Sequence, residues 1–142
     1  MRFWDSSALV PLVVEQQHSV ACRHLRRLDP HVAVWALTRI ELTSAVHRVA
    51  REGNLGATGV AAAKRRIGLL AARWSEVDGI LPVRDRAERL LAVHALTSAD
   101  ALQLAAALVL AGDRPRSRFF VCADARLAAA AGAEGFTVVV PR

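Results

Sequence analysis

The chain has 142 residues, enough for one domain with a real core and too few for two independent folds. Hydrophobic residues make up 54% and charged residues 23%, a balance that excludes an intrinsically disordered chain. Lysine and arginine number 19 against 13 aspartate and glutamate, giving a formal net charge of +6, and Lys64 is the only lysine. Arginine matches phosphate in geometry, so a polyanionic partner is expected.

The chain lacks the patterns of a membrane or secreted protein. Its longest wholly apolar run, residues 104–111, is far shorter than the ~20 residues that span a bilayer. Arg2 and Asp5 interrupt the stretch where a secretory leader would be apolar. Cys22 and Cys122 are far apart, which favours free thiols in a reducing cytoplasm, with Cys122 as a small core residue.

Short apolar runs alternate with longer segments of helical periodicity. In chain order the pattern predicts a strand over residues 2–4, helices over 6–14 and 16–28, a strand over 32–36, helices over 38–51 and 58–77, a strand over 80–83, helices over 85–95 and 98–110, a strand over 118–122, a helix over 125–131 and a strand over 136–140. Pro82 suggests that the third strand lies at an edge. The alternation predicts one α/β domain over residues 1–142, with a five-stranded parallel sheet flanked by helices in three layers.

Four carboxylates stand where a site would form in such a sheet. Asp5 follows the first strand, Asp124 follows the fourth, and Glu41 and Asp100 lie near the starts of apolar helices. Ligands of open parallel sheets bind beyond the carboxyl ends of the strands, where the winding direction reverses. We therefore expect Asp5, Glu41, Asp100 and Asp124 to line one crevice.

Each of these acids also has a purely structural interpretation. Asp5 and Asp124 fit simple helix N-caps, and Thr38 with Glu41 and Thr97 with Asp100 fit or nearly fit capping boxes. If instead the four carboxylates cluster, a cation must offset their repulsion. An all-oxygen donor set selects Mg²⁺ or Mn²⁺.

Other site chemistries have less support. The five histidines lack the close spacing of a zinc site. A phosphatase or receiver-type domain also places an aspartate after its first strand, but here Ser6 and Ser7 follow Asp5, and no lysine occurs after Lys64. The arginines suit RNA phosphates around an acidic cleft. Trp4 and Trp35 lie in predicted strands and are expected to pack in the core.

The order of the acidic segments resembles the PIN-domain ribonucleases, specifically the VapC-type toxins of toxin–antitoxin pairs. The resemblance covers nearly the whole chain and rests on four segments: Asp5-Ser-Ser-Ala-Leu, Glu41-Leu-Thr-Ser-Ala-Val-His-Arg, Asp100-Ala-Leu-Gln-Leu-Ala-Ala-Ala and Ala123-Asp-Ala-Arg-Leu. It implies a PIN-like fold and a metal-dependent endoribonuclease, usually a dimer, inhibited by a small VapB-type antitoxin that covers the cleft. Asp5, Glu41, Asp100 and Asp124 would be the catalytic and metal-binding residues, with Asp124 the most variable in role.

One expectation concerns the oligomeric state. A mean hydropathy of +0.27 favours a homodimer with apolar helix faces left for a partner, for which residues 9–14 and 42–49 are the candidates.

The alternative to an enzyme is a non-catalytic module that binds RNA or sequesters an antitoxin and uses its acids only as helix caps. Binding of Mn²⁺ distinguishes the two, because a protein whose acids are only caps has no metal site.

Overall fold

The computed structural model describes all residues from Met1 to Arg142. It contains five strands and seven helices. Their bounds are β1 Arg2–Trp4, α1 Ser6–Val13, α2 Ser19–Leu28, β2 Val32–Trp35, α3 Thr38–Arg51, α4 Ala57–Ala71, β3 Ser75–Val77, α5 Ile80–Val93, α6 Ser98–Leu110, β4 Phe119–Val121, α7 Ala125–Glu134 and β5 Thr137–Val139. None of the helices is both long and apolar enough to cross a membrane.

All five strands form one parallel sheet in the order β3-β2-β1-β4-β5. The chain moves outward from β1 to β3 on one side, then returns to place β4 against the other side of β1. Trp4 is the register partner of Val121, and the Asp5 amide donates to the Val121 carbonyl at 2.9 Å. The winding therefore reverses between β1 and β4, as the predicted parallel sheet requires for a crevice at their carboxyl ends.

The position of the third strand was predicted wrongly. Residues 80–83 form the first turn of α5, where the missing amide hydrogen of Pro82 costs nothing because the first four amides of a helix have no intrahelical partner. The true β3 lies inside the segment predicted as a long helix, and its Ser75 and Glu76 are exposed. An edge strand with two exposed polar residues has no apolar run to reveal it.

The two faces of the sheet are covered by separate apolar clusters, which gives the predicted three layers. Along β2 the side chains alternate, with Val32 and Val34 in one cluster and Ala33 and Trp35 in the other. Helices α5, α6 and α7 supply the cluster around Trp35, and helices α1 to α4 supply the cluster around Val34. Trp4, Trp35 and Cys122 are core residues as predicted.

The apolar faces expected to await a partner are instead part of the monomer core. Leu9, Val13 and Leu42 are almost fully buried, because α1 and α3 pack these faces toward the sheet and each other. Exposed apolar side chains lie elsewhere, notably on α5, at Ile80, Leu81, Leu91 and Val93.

Candidate metal centre

The four predicted acids line one cavity. This acidic cleft has a volume of about 450 Å³ and lies beyond the carboxyl ends of β1 and β4. Its lining comprises Asp5, Ser6, Ser7, Val10, Ile40, Glu41, Ser44, Ala45, Arg48, Asp100 and Asp124. The parallel sheet brings together residues that are up to 119 positions apart, since 124 minus 5 is 119.

Asp5 is the most deeply placed of the four acids. It is only 2% exposed, and it caps α1 by accepting a hydrogen bond from the Ser7 amide on Oδ2 at 3.0 Å. Its other oxygen, Oδ1, is buried and has no hydrogen-bond partner. Burial raises the pKa of Asp5 above its usual range, and the nearby charge of Asp100 raises it further. Asp5 is thus a helix cap with one carboxylate oxygen that has no hydrogen-bond partner.

Glu41 is held by two side chains from other parts of the chain. The Ser6 hydroxyl donates to Oε2 at 3.1 Å, and Nε2 of Gln103 donates to Oε1 at 2.6 Å. Burial raises the pKa of Glu41, and the charges of Asp5 and Asp100 act in the same direction. Both oxygens are therefore fixed in orientation toward the cleft by residues of α1 and α6.

The capping box predicted at Thr38 and Glu41 does not form. Leu37 and not Thr38 occupies the N-cap position, so Glu41 is the fourth residue of α3, at the end of its first turn. Thr38 is buried, and its hydroxyl accepts a hydrogen bond from Nε2 of Gln103 at 3.1 Å. The fold thus buries Thr38 at the start of α3, where the side-chain amide of Gln103 from α6 satisfies its hydroxyl.

Asp100 and Asp124 occupy the more open side of the cleft. Asp100 lies in the first turn of α6, where its amide donates to the Thr97 hydroxyl at 3.2 Å. Burial raises the pKa of Asp100, and so does the charge of Asp124. Asp124 is exposed and caps α7 by accepting from the Leu127 amide at 2.8 Å. Asp5 and Asp124 thus each cap a helix and also line the cleft.

A second set of residues positions the acids, and sequence reasoning missed its role. Gln103 is fully buried in an otherwise apolar helix, one turn beyond Asp100, and that isolated buried amide was the available signal. The Ser7 hydroxyl accepts from the Ala123 amide at 3.0 Å and lies 3.7 Å from the Cys122 sulfur. Ser7 therefore ties the start of α1 to the segment that carries Asp124.

The Cys122 thiol is not a reactive group of this site. Burial, with a contribution from the charge of Asp5, raises the pKa of Cys122 to about 12. The thiolate is the nucleophilic form of cysteine, so this side chain stays protonated and inert at neutral pH.

The carboxylates share a cleft without yet forming a coordination shell. No group of three or more histidine, cysteine, aspartate or glutamate side chains is gathered closely enough to hold a metal ion. The donor set nevertheless suits a hard cation, because all four groups are carboxylates and a buried oxygen of Asp5 has no partner. Burial raises the pKa values of Asp5, Glu41 and Asp100, and the charges of neighbouring acids add to the increase. A divalent cation would relieve both costs.

No protein-family model matches the chain, and no curated protein matches it. Several solved structures match the chain in fold. A toxin–antitoxin complex from Klebsiella pneumoniae superposes with a TM-score of 0.67 at 15% identity, covering 100% of this chain and 98% of that chain.

Two further structures superpose equally well. PAE2754 from Pyrobaculum aerophilum has a TM-score of 0.67 at 21% identity, covering 98% of this chain and 87% of that chain. FitAcB from Neisseria gonorrhoeae has a TM-score of 0.67 at 21% identity, covering 99% of this chain and 98% of that chain. The chain shares the three-layer α/β fold of these structures, with a five-stranded parallel sheet flanked by helices. At these identities, what the likeness establishes is the arrangement of strands and helices.

Proposed function

We propose that this chain is the toxin of a toxin–antitoxin pair and acts as an endoribonuclease that depends on Mg²⁺ or Mn²⁺. One observation carries the proposal: Asp5, Glu41, Asp100 and Asp124 line a single cleft at the point where the sheet reverses its winding. One of the solved structures with this fold is described as a toxin–antitoxin complex.

Asp5, Glu41 and Asp100 are the residues that would hold the cation, with Asp124 at the exposed side of the cleft. When bound, the ion would supply charge stabilisation at a phosphate and a water of lowered pKa. The protein contributes the orientation of the ligands. The Ser7 amide holds one oxygen of Asp5 and leaves the other open, while Ser6 and Gln103 fix both oxygens of Glu41. Such hydrogen bonds to ligand carboxylates commonly affect metal affinity or activity 10- to 100-fold, as an order of magnitude.

RNA is the proposed substrate because the chain is basic overall and one arginine lines the acidic cleft. The formal net charge of the chain is +6. Arg48 lies two turns beyond Glu41 on α3, is exposed, and lines the same cleft. It would neutralise a phosphate beside the acids, and a single strand fits such a groove more easily than a duplex.

The proposed partners follow from the same cleft. A VapB-type antitoxin would inhibit the enzyme by placing a basic side chain against Asp5, Glu41 and Asp100, in the position of the cation. Inhibition and Mn²⁺ binding should then compete. We also propose a homodimer, which would cover apolar side chains that the monomer leaves exposed.

A second candidate function is a non-catalytic module that binds RNA or sequesters an antitoxin. Two observations favour it: Asp5 and Asp124 do serve as helix N-caps, and the acids are not gathered into a coordination shell. In that case the acidic cleft would be a by-product of capping, and no divalent cation would bind there.

Cleavage of single-stranded RNA in Mg²⁺, Mn²⁺, Ca²⁺ and EDTA tests the proposal. Mg²⁺ and Mn²⁺ should support turnover, Ca²⁺ should bind without supporting it because of its larger and looser coordination, and EDTA should stop it. Asp100→Asn should abolish cleavage, whereas Asp85→Asn, a matched charge change on the exposed surface of α5, should not. Full cleavage in excess EDTA would refute the metal mechanism. Calorimetry that detects no Mn²⁺ binding would favour the non-catalytic module.

A further inference from the structure

A second cavity, distinct from the acidic cleft, is lined by arginines. This arginine pocket has a volume of about 230 Å³ and is formed by Leu12, Arg23, Arg26, Arg66, Leu69 and Leu70. None of its lining residues is acidic. Its size is below the ~300–1,000 Å³ typical of cavities for whole small-molecule ligands, so it suits one charged group rather than a cofactor.

Arg66 is hydrogen-bonded to the fold, and Arg26 is partly withdrawn from water. Nη1 of Arg66 donates to the Val13 carbonyl at 3.1 Å, which fixes this guanidinium at the end of α1. Arg26 is half-buried, and its Nε is shielded from water without a hydrogen-bond partner. Guanidinium groups that are already ordered and partly dehydrated lose less freedom and less hydration when they bind an anion.

The third arginine, Arg23, is ion-paired with a carboxylate that a bound anion could displace. Nη1 of Arg23 lies 2.9 Å from Oε2 of Glu15, and both side chains are substantially exposed. An exposed ion pair of this kind contributes little stability. Three arginines against one glutamate leave a surplus of two positive charges at the pocket.

The pocket and the acidic cleft lie along the same helix. Asp5 at the N-cap of α1 and Val10 in its second turn border the cleft, and Leu12 near its end borders the pocket. From Asp5 to Val13 the helical rise of 1.5 Å per residue gives a separation of ~12 Å. One extended nucleic acid strand can bridge that distance.

We propose that the arginine pocket binds a phosphate of the same RNA strand that occupies the acidic cleft, and so positions the substrate. The inference rests on the proposed function for its substrate. Arginine suits the geometry of a phosphodiester because its planar fork donates two parallel hydrogen bonds. The leucines at the pocket give the adjoining ribose an apolar surface.

Binding of a labelled single-stranded RNA, measured by fluorescence anisotropy in EDTA to prevent cleavage, tests the inference. Arg23→Gln with Arg66→Gln should weaken binding roughly tenfold and reduce the salt dependence by ~0.7 in log K per log salt for one lost phosphate contact. Arg27→Gln with Arg65→Gln is the matched control, since it removes the same charge from exposed positions of the same two helices. The control pair should change affinity less than ~2-fold.

Glu15→Gln gives a test in the opposite direction that does not depend on a tolerated arginine substitution. Removing the competing carboxylate frees Arg23, so RNA should bind a few-fold more tightly. In Mg²⁺, the Arg23 and Arg66 pair should raise the KM for RNA cleavage about tenfold with kcat little changed, as expected for a positioning site.

The outcomes separate the pocket from the proposed function. Equal weakening by both arginine pairs would overturn the pocket and leave only a net-charge effect. Unchanged RNA affinity with an altered molar mass in light scattering would overturn it in favour of an interface between copies. If the wild type cleaves no RNA in any metal while the two arginine pairs still differ in affinity, the proposed function fails and the pocket stands.

Discussion

Asp5→Asn should stabilise the protein in metal-free buffer while abolishing RNA cleavage. Asparagine keeps an oxygen for the Ser7 amide and is as good an N-cap as aspartate, so the start of α1 is retained. The substitution removes a charge that is 2% exposed and repelled by Asp100. Removing an unneutralised buried charge favours the folded state.

Asp5→Ala removes the charge and the cap together. The difference in stability between Asp5→Ala and Asp5→Asn therefore measures the contribution of the cap. Loss of an N-cap costs about 1 kcal/mol, so Asp5→Ala should be less stable than Asp5→Asn by that amount. For a domain of this size the difference corresponds to roughly 4 °C in Tm. Mg²⁺ at ten times its Kd should stabilise only the wild type, by ~1.4 kcal/mol.

The pH dependence has a defined sign. Burial, followed by the charge of Asp100, raises the native pKa of Asp5 above its ordinary 3.8, so the native state binds the proton more tightly than the unfolded chain. Stability is therefore lost as pH rises from 3.8 through the native pKa, and the destabilisation is complete above it. The advantage of Asp5→Asn should be present at pH ~7 and disappear below pH ~3.8.

Scanning calorimetry of the three proteins, in EDTA and in Mg²⁺, measures these differences. The reasoning is refuted if Asp5→Asn melts below the wild type in EDTA at neutral pH, because the charge would then be stabilising rather than costly. If Asp5→Asn also retains full cleavage, Asp5 is a helix cap alone.

Three further predictions concern the support of the site, the packing of the helices and the assembly. Gln103→Leu removes the amide that donates to Glu41, and cleavage should fall by ~10- to 100-fold while circular dichroism shows the fold retained; full activity would show that Ser6 alone orients this glutamate. Glu134→Gln should lower the Tm at neutral pH, because Arg89 and then His94 hold the pKa of Glu134 below its ordinary 4.5. That loss should shrink as pH falls from ~4.5 and vanish below the lower native pKa, where the native carboxylate also becomes protonated; a pH-independent loss would indicate packing instead. Light scattering at micromolar concentration should give twice the chain mass, and a monodisperse monomer would contradict the homodimer.

The sequence determined the layers of this protein because local periodicity reports burial directly. Alternating residues such as Val34 and Trp35 must face opposite sides of a sheet, and apolar helices must cover both. An acid that directly follows a strand in the sequence lies at the carboxyl end of that strand. The sequence therefore also predicted the edge of the sheet at which the acid lies. Asp5 and Asp124 lie at the same cleft as expected, because parallel strands end at the same edge.

Tertiary structure decided what local pattern leaves ambiguous. A short apolar run around Pro82 suits an edge strand or a first helical turn equally well, and only the pairing of Ser75–Val77 with β2 settles where β3 lies. Periodicity also cannot show which side chains meet across the fold. Gln103 reaches Glu41 from 62 positions away, and Ser7 reaches Ala123 from 116 positions away. These contacts form because the fold brings the starts of α1, α3 and α6 and the residues after β4 to one cleft. The orientation of the acids is therefore a property of the folded chain.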